Sequence, residues 1–354
     1  MMLARNTWLD FVRAAAILSV LLGHSLLLLP QPSSLQVMKS GAFMGVEIFF
    51  VLSGFLIGGI IWTLCEDFTP ASLWHFWLRR WFRTVPNYLL FLALVTVLTV
   101  MGVREGAMDG WWKYLIFIQN LFSRQSEFFA EAWSLSVEEV FYFTFPAMAL
   151  ILHRLSRQSP KAVVVVLGLT VVLACTALRL QAAHGSGLEW DADFRKVVLL
   201  RLDAIVLGVL TAFGLRRFPF LFAHRLLIWC LLGIFAFCVV YVAIIPWDAL
   251  QTSWFSRTWL FSLSSLGCMG LVLYGLRMHF SARFSRACRF FAAISYSAYL
   301  SNISVICLIL KYSPLSAFLN VIVFWCLTIS ISWVTFRYWE SWFMRLRDRM
   351  IALE

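Results

Sequence analysis

LDFVRAAAILSVLLGHSLLLL, Leu9 to Leu29, is the stretch on which the reading of this chain turns. It is an apolar run long enough to cross a bilayer as a helix. It nevertheless carries Asp10, Arg13 and His24. Titratable groups inside a hydrocarbon-spanning helix are costly, so each marks a pathway or a site by default. At 1.5 Å per residue, Arg13 and His24 are separated by about 16 Å of depth, which puts one near each membrane face. The rest of the chain reads as a scaffold that supplies these two residues with partners.

Composition agrees with a membrane protein. Of 354 residues, 62% are hydrophobic and 13% charged, where a soluble domain carries about a quarter charged residues. The pattern predicts an all-α, polytopic bundle of about ten transmembrane helices near 8–29, 41–63, 85–103, 132–152, 161–182, 195–215, 224–245, 256–276, 290–310 and 314–337. Alternating strands of an outer-membrane barrel are not seen. The segment 109–122, DGWWKYLIFIQNLF, is apolar but short and reads as interfacial or re-entrant. The N-terminus lacks a small-residue cleavage site, so the first run reads as an uncleaved span. Eight scattered cysteines without CxxC spacing read as small buried apolar residues, and no metal site is expected.

Charge tests the topology. With the N-terminus in the cytoplasm, the inner loops hold 18 of the 29 basic residues. They include Arg5, Arg79, Arg80, Arg83, Arg277 and Arg347, against five acids, among them Glu354. The outer loops hold nine bases, Arg104, Arg179, Arg195 and Lys196 among them, and eight acids. Lys and Arg excess in short cytoplasmic loops sets orientation. Both termini are therefore expected in the cytoplasm. The net charge of +11 needs no nucleic acid to explain it.

Counting residues from the span ends gives depth. His24, Glu47, the Glu138–Glu139 pair, and Arg201 with Asp203 all fall about 8–12 Å below the outer surface. Four helices thus bring ionisable groups to one level, and the expectation is that they meet in one pocket. Bland readings stand beside this one. Asp10 and Arg13 lie three apart on one face and read equally as a self-satisfied interfacial pair. Glu47 and Arg201 read equally as a structural pair. Adjacent helix residues point about 100° apart, so one of Glu138 and Glu139 is expected to face the site. The run HFWLRRWFRTVP reads either as a juxtamembrane helix on anionic lipid or as a cradle for phosphates. Ser53, Ser134 and Ser136 lack a GxSxG context, and no Walker loop, GxGxxG or HExxH occurs.

Six stretches in order, LDFVRAAAILSVLLGH, GVEIFFVLSGFLI, FWLRRWFRTVP, WSLSVEEVFY, RLDAIVLGV and ISYSAYL, resemble the acyltransferase 3 family of integral membrane acyltransferases. The resemblance covers nearly the whole chain, so residues 1–354 read as a single transmembrane acyltransferase domain. It implies transfer of an acetyl or other short acyl group from cytosolic acyl-CoA to a hydroxyl of a carbohydrate at the outer face of a bacterial inner membrane. Residue by residue, it implies Arg13 and His24 as the essential pair. Glu47, Glu138 and Glu139 are implied as the acidic partners, and Arg79, Arg80 and Arg83 as contacts for the CoA phosphates. Trp133, Tyr142, Arg201, Asp203, Tyr299 and Asn302 are taken as substrate-binding candidates. Glu47 stands where Asp is more usual, Asn302 where many members have His, and Ser341 and Trp342 replace the usual ending near Glu340. No soluble hydrolase domain of the SGNH type is expected after the last span. On this reading His24 is general base or acyl relay. The rivals are a proton-coupled transporter or flippase of a lipid-linked saccharide, and a structural subunit of a polysaccharide-export complex.

Overall fold

Asn6 starts the first helix. Its side chain accepts from the Trp8 amide at 2.8 Å, and its amide group donates to the Leu276 carbonyl at 2.8 Å. The computed structural model describes residues 6–30, 34–276, 278 and 280–351. Arg5, Arg277 and Glu354, counted among the inner-loop charges, lie outside the described residues.

Helices α1 (Thr7–Ser25), α2 (Ser34–Leu64), α3 (Pro70–Val100), α4 (Ala132–Ser156) and α5 (Pro160–Ala182) are followed by α6 (Leu202–Arg217) and α7 (Arg225–Ile244). Then come α8 (Trp259–Tyr274), α9 (Ala282–Tyr312), α10 (Ala317–Val334) and α11 (Ser341–Ile351). No strand occurs among the described residues. The protein is an all-α membrane bundle, and 8 of its helices are long and apolar enough to cross a bilayer. Of the ten runs expected as spans, those at α6 and α8 fall short of that length. Each has 16 residues, about 24 Å, which is shorter than a hydrocarbon core. The chain 195–201 ahead of α6 winds instead through a π turn and a 3-10 turn.

The helix that carries the third expected span starts well ahead of residue 85. Thr69 and Ser72 form a reciprocal capping box, with Pro70 at the first helical position, so α3 begins fifteen residues earlier. The helix runs through Pro86, whose carbonyl accepts from Trp339 Nε1 at 3.1 Å. The arginine-rich run is therefore helical. The segment 109–122 contains only the short turn Trp112–Leu115. Its end is tied to the chain ahead of α6: the amides of Val198 and Leu199 donate to the carbonyls of Asn120 and Leu121 at 2.9 and 3.4 Å, and the Asn120 side chain donates through Nδ2 to Lys196 O at 2.6 Å.

Helices α2 and α9 are the most enclosed, while α7 and α10 lie at the periphery. The tightest crossing joins α2 to α6. A Cβ at Gly54 would meet the Ile205 carbonyl oxygen at 1.9 Å, and one at Gly208 would meet the Val51 oxygen at 2.2 Å. Without a side chain on either helix the backbones touch, which is how membrane helices gain packing energy in place of a hydrophobic effect. That crossing sets the rotation of α2, and with it the directions of Glu47, Phe50 and Ser53.

Candidate active site

A cavity of 480 Å³ opens among α1, α2, α3, α4 and α9. Arg13, Arg80 and Arg83 line it with Asp10, Glu138 and Glu340. Its walls run from Ala292 to Tyr299 on α9 and from Ser134 to Tyr142 on α4, about 10–12 Å of depth at helical rise. The arginine-rich end lies where α1 begins.

The guanidinium groups of Arg13, Arg80 and Arg83 have no ion pair or hydrogen bond among the described residues, although Arg80 lies 5.3 Å from the centroid of the Tyr142 ring. The neighbouring acids are occupied elsewhere. Glu138 is within hydrogen-bonding range of Tyr142 and Ser53, which are bonded to each other. Glu340 accepts from Asn87 Nδ2 at 2.8 Å and from the Ser297 hydroxyl. Three guanidinium groups converging on one cavity without partners suit a polyanion, because their donor forks match phosphate oxygens.

The other end of the cavity closes at Ser134, whose hydroxyl donates to Tyr299 OH at 2.8 Å. One helical turn beyond, Asn302 meets His24, with Nδ1 of the imidazole 2.6 Å from Oδ1 of the amide. His24 is half-buried and is not part of the cavity wall. The charges that act on it most come from Glu131, Arg195 and Lys196.

The single pocket expected from depth counting resolves into separate groups. Glu47 does not meet His24. Both its oxygens lie 2.6 and 2.7 Å from Arg201 Nη2, and both residues are fully enclosed. Asp203 faces Arg179 at 2.7 Å, again with no exposure on either side chain. That approach is an ion pair without aligned hydrogen-bond geometry. Arg201 and Asp203 are therefore corrected from substrate contacts to a buried charge network. Trp133 is likewise outside the cavity wall: it is 4% exposed, edge-on to Phe50 and covered by the Arg195 guanidinium at 5.0 Å.

Of the adjacent glutamates, Glu138 faces the cavity and Glu139 is buried outside its wall, beside Thr84. Glu138 lines the cavity together with Arg13 and is not a partner of His24, so α4 serves the arginine end. Arg80 and Arg83 line the cavity as expected of a cradle, whereas Arg79 is exposed and only its carbonyl is engaged, by Arg347 at 3.5 Å. Arg13 joins the arginines instead of pairing with Asp10, and both line the cavity. Tyr142 and Tyr299 are wall residues, and Asn302 is a partner of His24 rather than a substrate contact.

Two features were missed. Glu131, just before the WSLSVEE stretch, forms a bidentate pair with Arg104 at 2.9 and 2.8 Å. Arg104 also donates to Ser304 at 2.8 Å. Burial alone would lower the Arg104 guanidinium, but Glu131 more than reverses this and raises it. The intramembrane position of Glu340 was the second, created by the π turn Thr335–Glu340 that rotates it inward. Only the resemblance pointed near it, because no local pattern announces a π turn.

The acyltransferase domain model matches residues 6–337. The chain belongs to the acyltransferase 3 family. It is 30% identical over 180 residues to the peptidoglycan O-acetyltransferase OatA of Listeria monocytogenes, covering 45% of this chain and 28% of that protein. It is 26% identical over 220 residues to the O-acetyltransferase OatA of Staphylococcus aureus, covering 58% of this chain and 34% of the relative. A putative O-acetyltransferase of Staphylococcus aureus strain COL is 26% identical over 221 residues, with coverages of 58% and 34%. The chain thus matches about a third or less of the length of these relatives. No solved structure gives a significant match.

Proposed function

We propose that this acyltransferase 3 protein moves an acetyl or other short acyl group from acyl-CoA to a hydroxyl of a cell-surface or periplasmic carbohydrate. The observation that carries the reading is the cavity itself. Three unpaired arginines stand at one end, and the other end stops one turn short of the Asn302–His24 pair. The relatives are named for O-acetylation, and one of them for peptidoglycan, which supports the choice of acyl group and acceptor class.

In this reading Arg13, Arg80 and Arg83 hold the phosphates of CoA at the cytoplasmic mouth. The pantetheine arm lies along Tyr142 and Ser53, and its thioester passes the Ser134–Tyr299 contact to reach His24. Both chain termini then face the cytoplasm of a bacterial cell, and the histidine faces outward. The acceptor hydroxyl gives its proton to His24 and its oxygen bonds to the thioester carbonyl carbon. The C–S bond breaks and the CoA thiolate takes the proton back. Glu131, held by Arg104, is the carboxylate whose charge acts most on the imidazole between these steps, with Arg195 and Lys196 opposing it.

The test is release of free CoA thiol from acetyl-CoA by the purified chain in detergent, with peptidoglycan fragments or another glycan as acceptor. Glycan-dependent release is expected, and it should fall at least about 100-fold in His24→Ala, the scale of general-base catalysis. Saccharide movement across vesicles without CoA consumption would replace this reading with a transporter.

A further inference from the structure

The amide of Asn302 decides which nitrogen of His24 is the base. Asn302 is fully buried on α9. Its Nδ2 lies 2.6 Å from the carbonyl oxygen of Tyr299 and 3.2 Å from that of Ala298. Carbonyl oxygens only accept hydrogen bonds, so the amide atom facing them is the NH2 group. The amide oxygen is left facing His24 Nδ1 at 2.6 Å. It too only accepts, so Nδ1 carries the hydrogen. A neutral imidazole has one, so Nε2 keeps the lone pair.

We propose that Asn302 is a positioning residue that fixes His24 as the Nδ1–H tautomer and presents Nε2 as the base. Turning the amide over would set its oxygen against two carbonyls and its NH2 group against Nδ1. The lock is therefore built into the backbone of α9 one turn below. Because an amide is neutral, Asn302 orients the ring without placing a second charge beside it. The charged groups that act most on His24 are Glu131 from the turn before α4, and Arg195 and Lys196 from the turn before α6. The same α9 turn carries Tyr299 in the cavity wall, so the end of the cavity and the orientation of the base rest on one piece of backbone. In the reaction, the acceptor hydroxyl proton moves to Nε2 and leaves from Nε2 to the thiolate, while the Nδ1–H bond to Asn302 is kept throughout. The chemical role of the base rests on the proposed acyl transfer; the tautomer does not.

The experiment is nitrogen NMR of the full chain in detergent, labelled at histidine and free of substrate, above neutral pH. The chain has 6 histidines, and a His24→Gln spectrum assigns the signal of interest. A protonated Nδ1 with a bare Nε2 is expected. A proton on Nε2, in a neutral or a cationic ring, overturns the proposal. Asn302→Leu supplies a second arm. Loss of the single tautomer is expected, with turnover of acetyl-CoA down about 100-fold or more and affinity for S-ethyl-CoA within about twofold. That retained affinity separates misorientation from misfolding. The wild-type tautomer persisting in this variant with full turnover overturns the proposal too. A wild-type protein that shows the expected tautomer yet never consumes acetyl-CoA refutes the acyl-transfer reading and leaves the orientation of His24 standing.

Discussion

Replacing Arg80 and Arg79 separately tests the proposal that this cavity holds the CoA donor, because the two are neighbours in sequence with opposite surroundings. Arg80 points into the cavity beside Arg13 and Arg83, over the ring of Tyr142, while Arg79 is exposed. A hydrogen bond to a charged group is worth about 1.5–3 kcal/mol. At about 1.4 kcal/mol per tenfold, losing one such contact to a CoA phosphate weakens binding by about 10- to 150-fold. The contact with Tyr142 exists before the ligand arrives, so its loss changes stability more than affinity. An exposed charge such as Arg79 is screened by salt, and its removal is expected to cost about twofold or less. Titration calorimetry with S-ethyl-CoA in detergent measures both variants directly. Equal losses for Arg79→Ala and Arg80→Ala, or unchanged affinity in Arg80→Ala, would refute the assignment of this cavity to the donor.

Other outcomes follow from particular contacts. Glu131→Gln strands the Arg104 cation at a site where the two side chains are 1% and 2% exposed; a loss of about 3–5 kcal/mol is expected on thermal or denaturant unfolding. A paired replacement of both by apolar residues should recover most of it. Gly54→Ala forces α2 away from the Ile205 carbonyl and should destabilise by about 1–3 kcal/mol or more, whereas Gly233→Ala, with nothing within 4 Å, should be neutral to mildly stabilising. Burial raises the Asp191 carboxyl, but Arg195 at 2.7 Å and Lys196 at 2.8 Å outweigh it and bring it down to about 2 from 3.8. A depressed carboxylate stabilises fully above its unfolded value and loses that contribution as pH falls through its folded one. The stability gap between wild type and Asp191→Asn should therefore close between about pH 4 and pH 2, and a gap that is constant across that range would contradict the pairing.

From the sequence alone, hydrophobic runs located the helices that the structure contains, since a membrane leaves few other ways to satisfy a backbone. The motif stretches identified the family, and the residue count from Arg13 to His24 placed them toward opposite ends of one helix. What counting could not supply was azimuth. A rise of 1.5 Å per residue converts position into height, but each residue also turns the side chain by about 100°. Glu47, Glu138 and Arg201 were assigned similar heights, yet Glu47 turns to Arg201 and Glu138 turns into the cavity that Arg13 lines. Those directions depend on how the helices rotate against one another, as at the Gly54–Gly208 crossing, where backbone touches backbone. Likewise Arg104 found Glu131 across 27 residues, and a π turn brought Glu340 inward. Height was local and therefore legible; the company each charge keeps belongs to packing between distant segments.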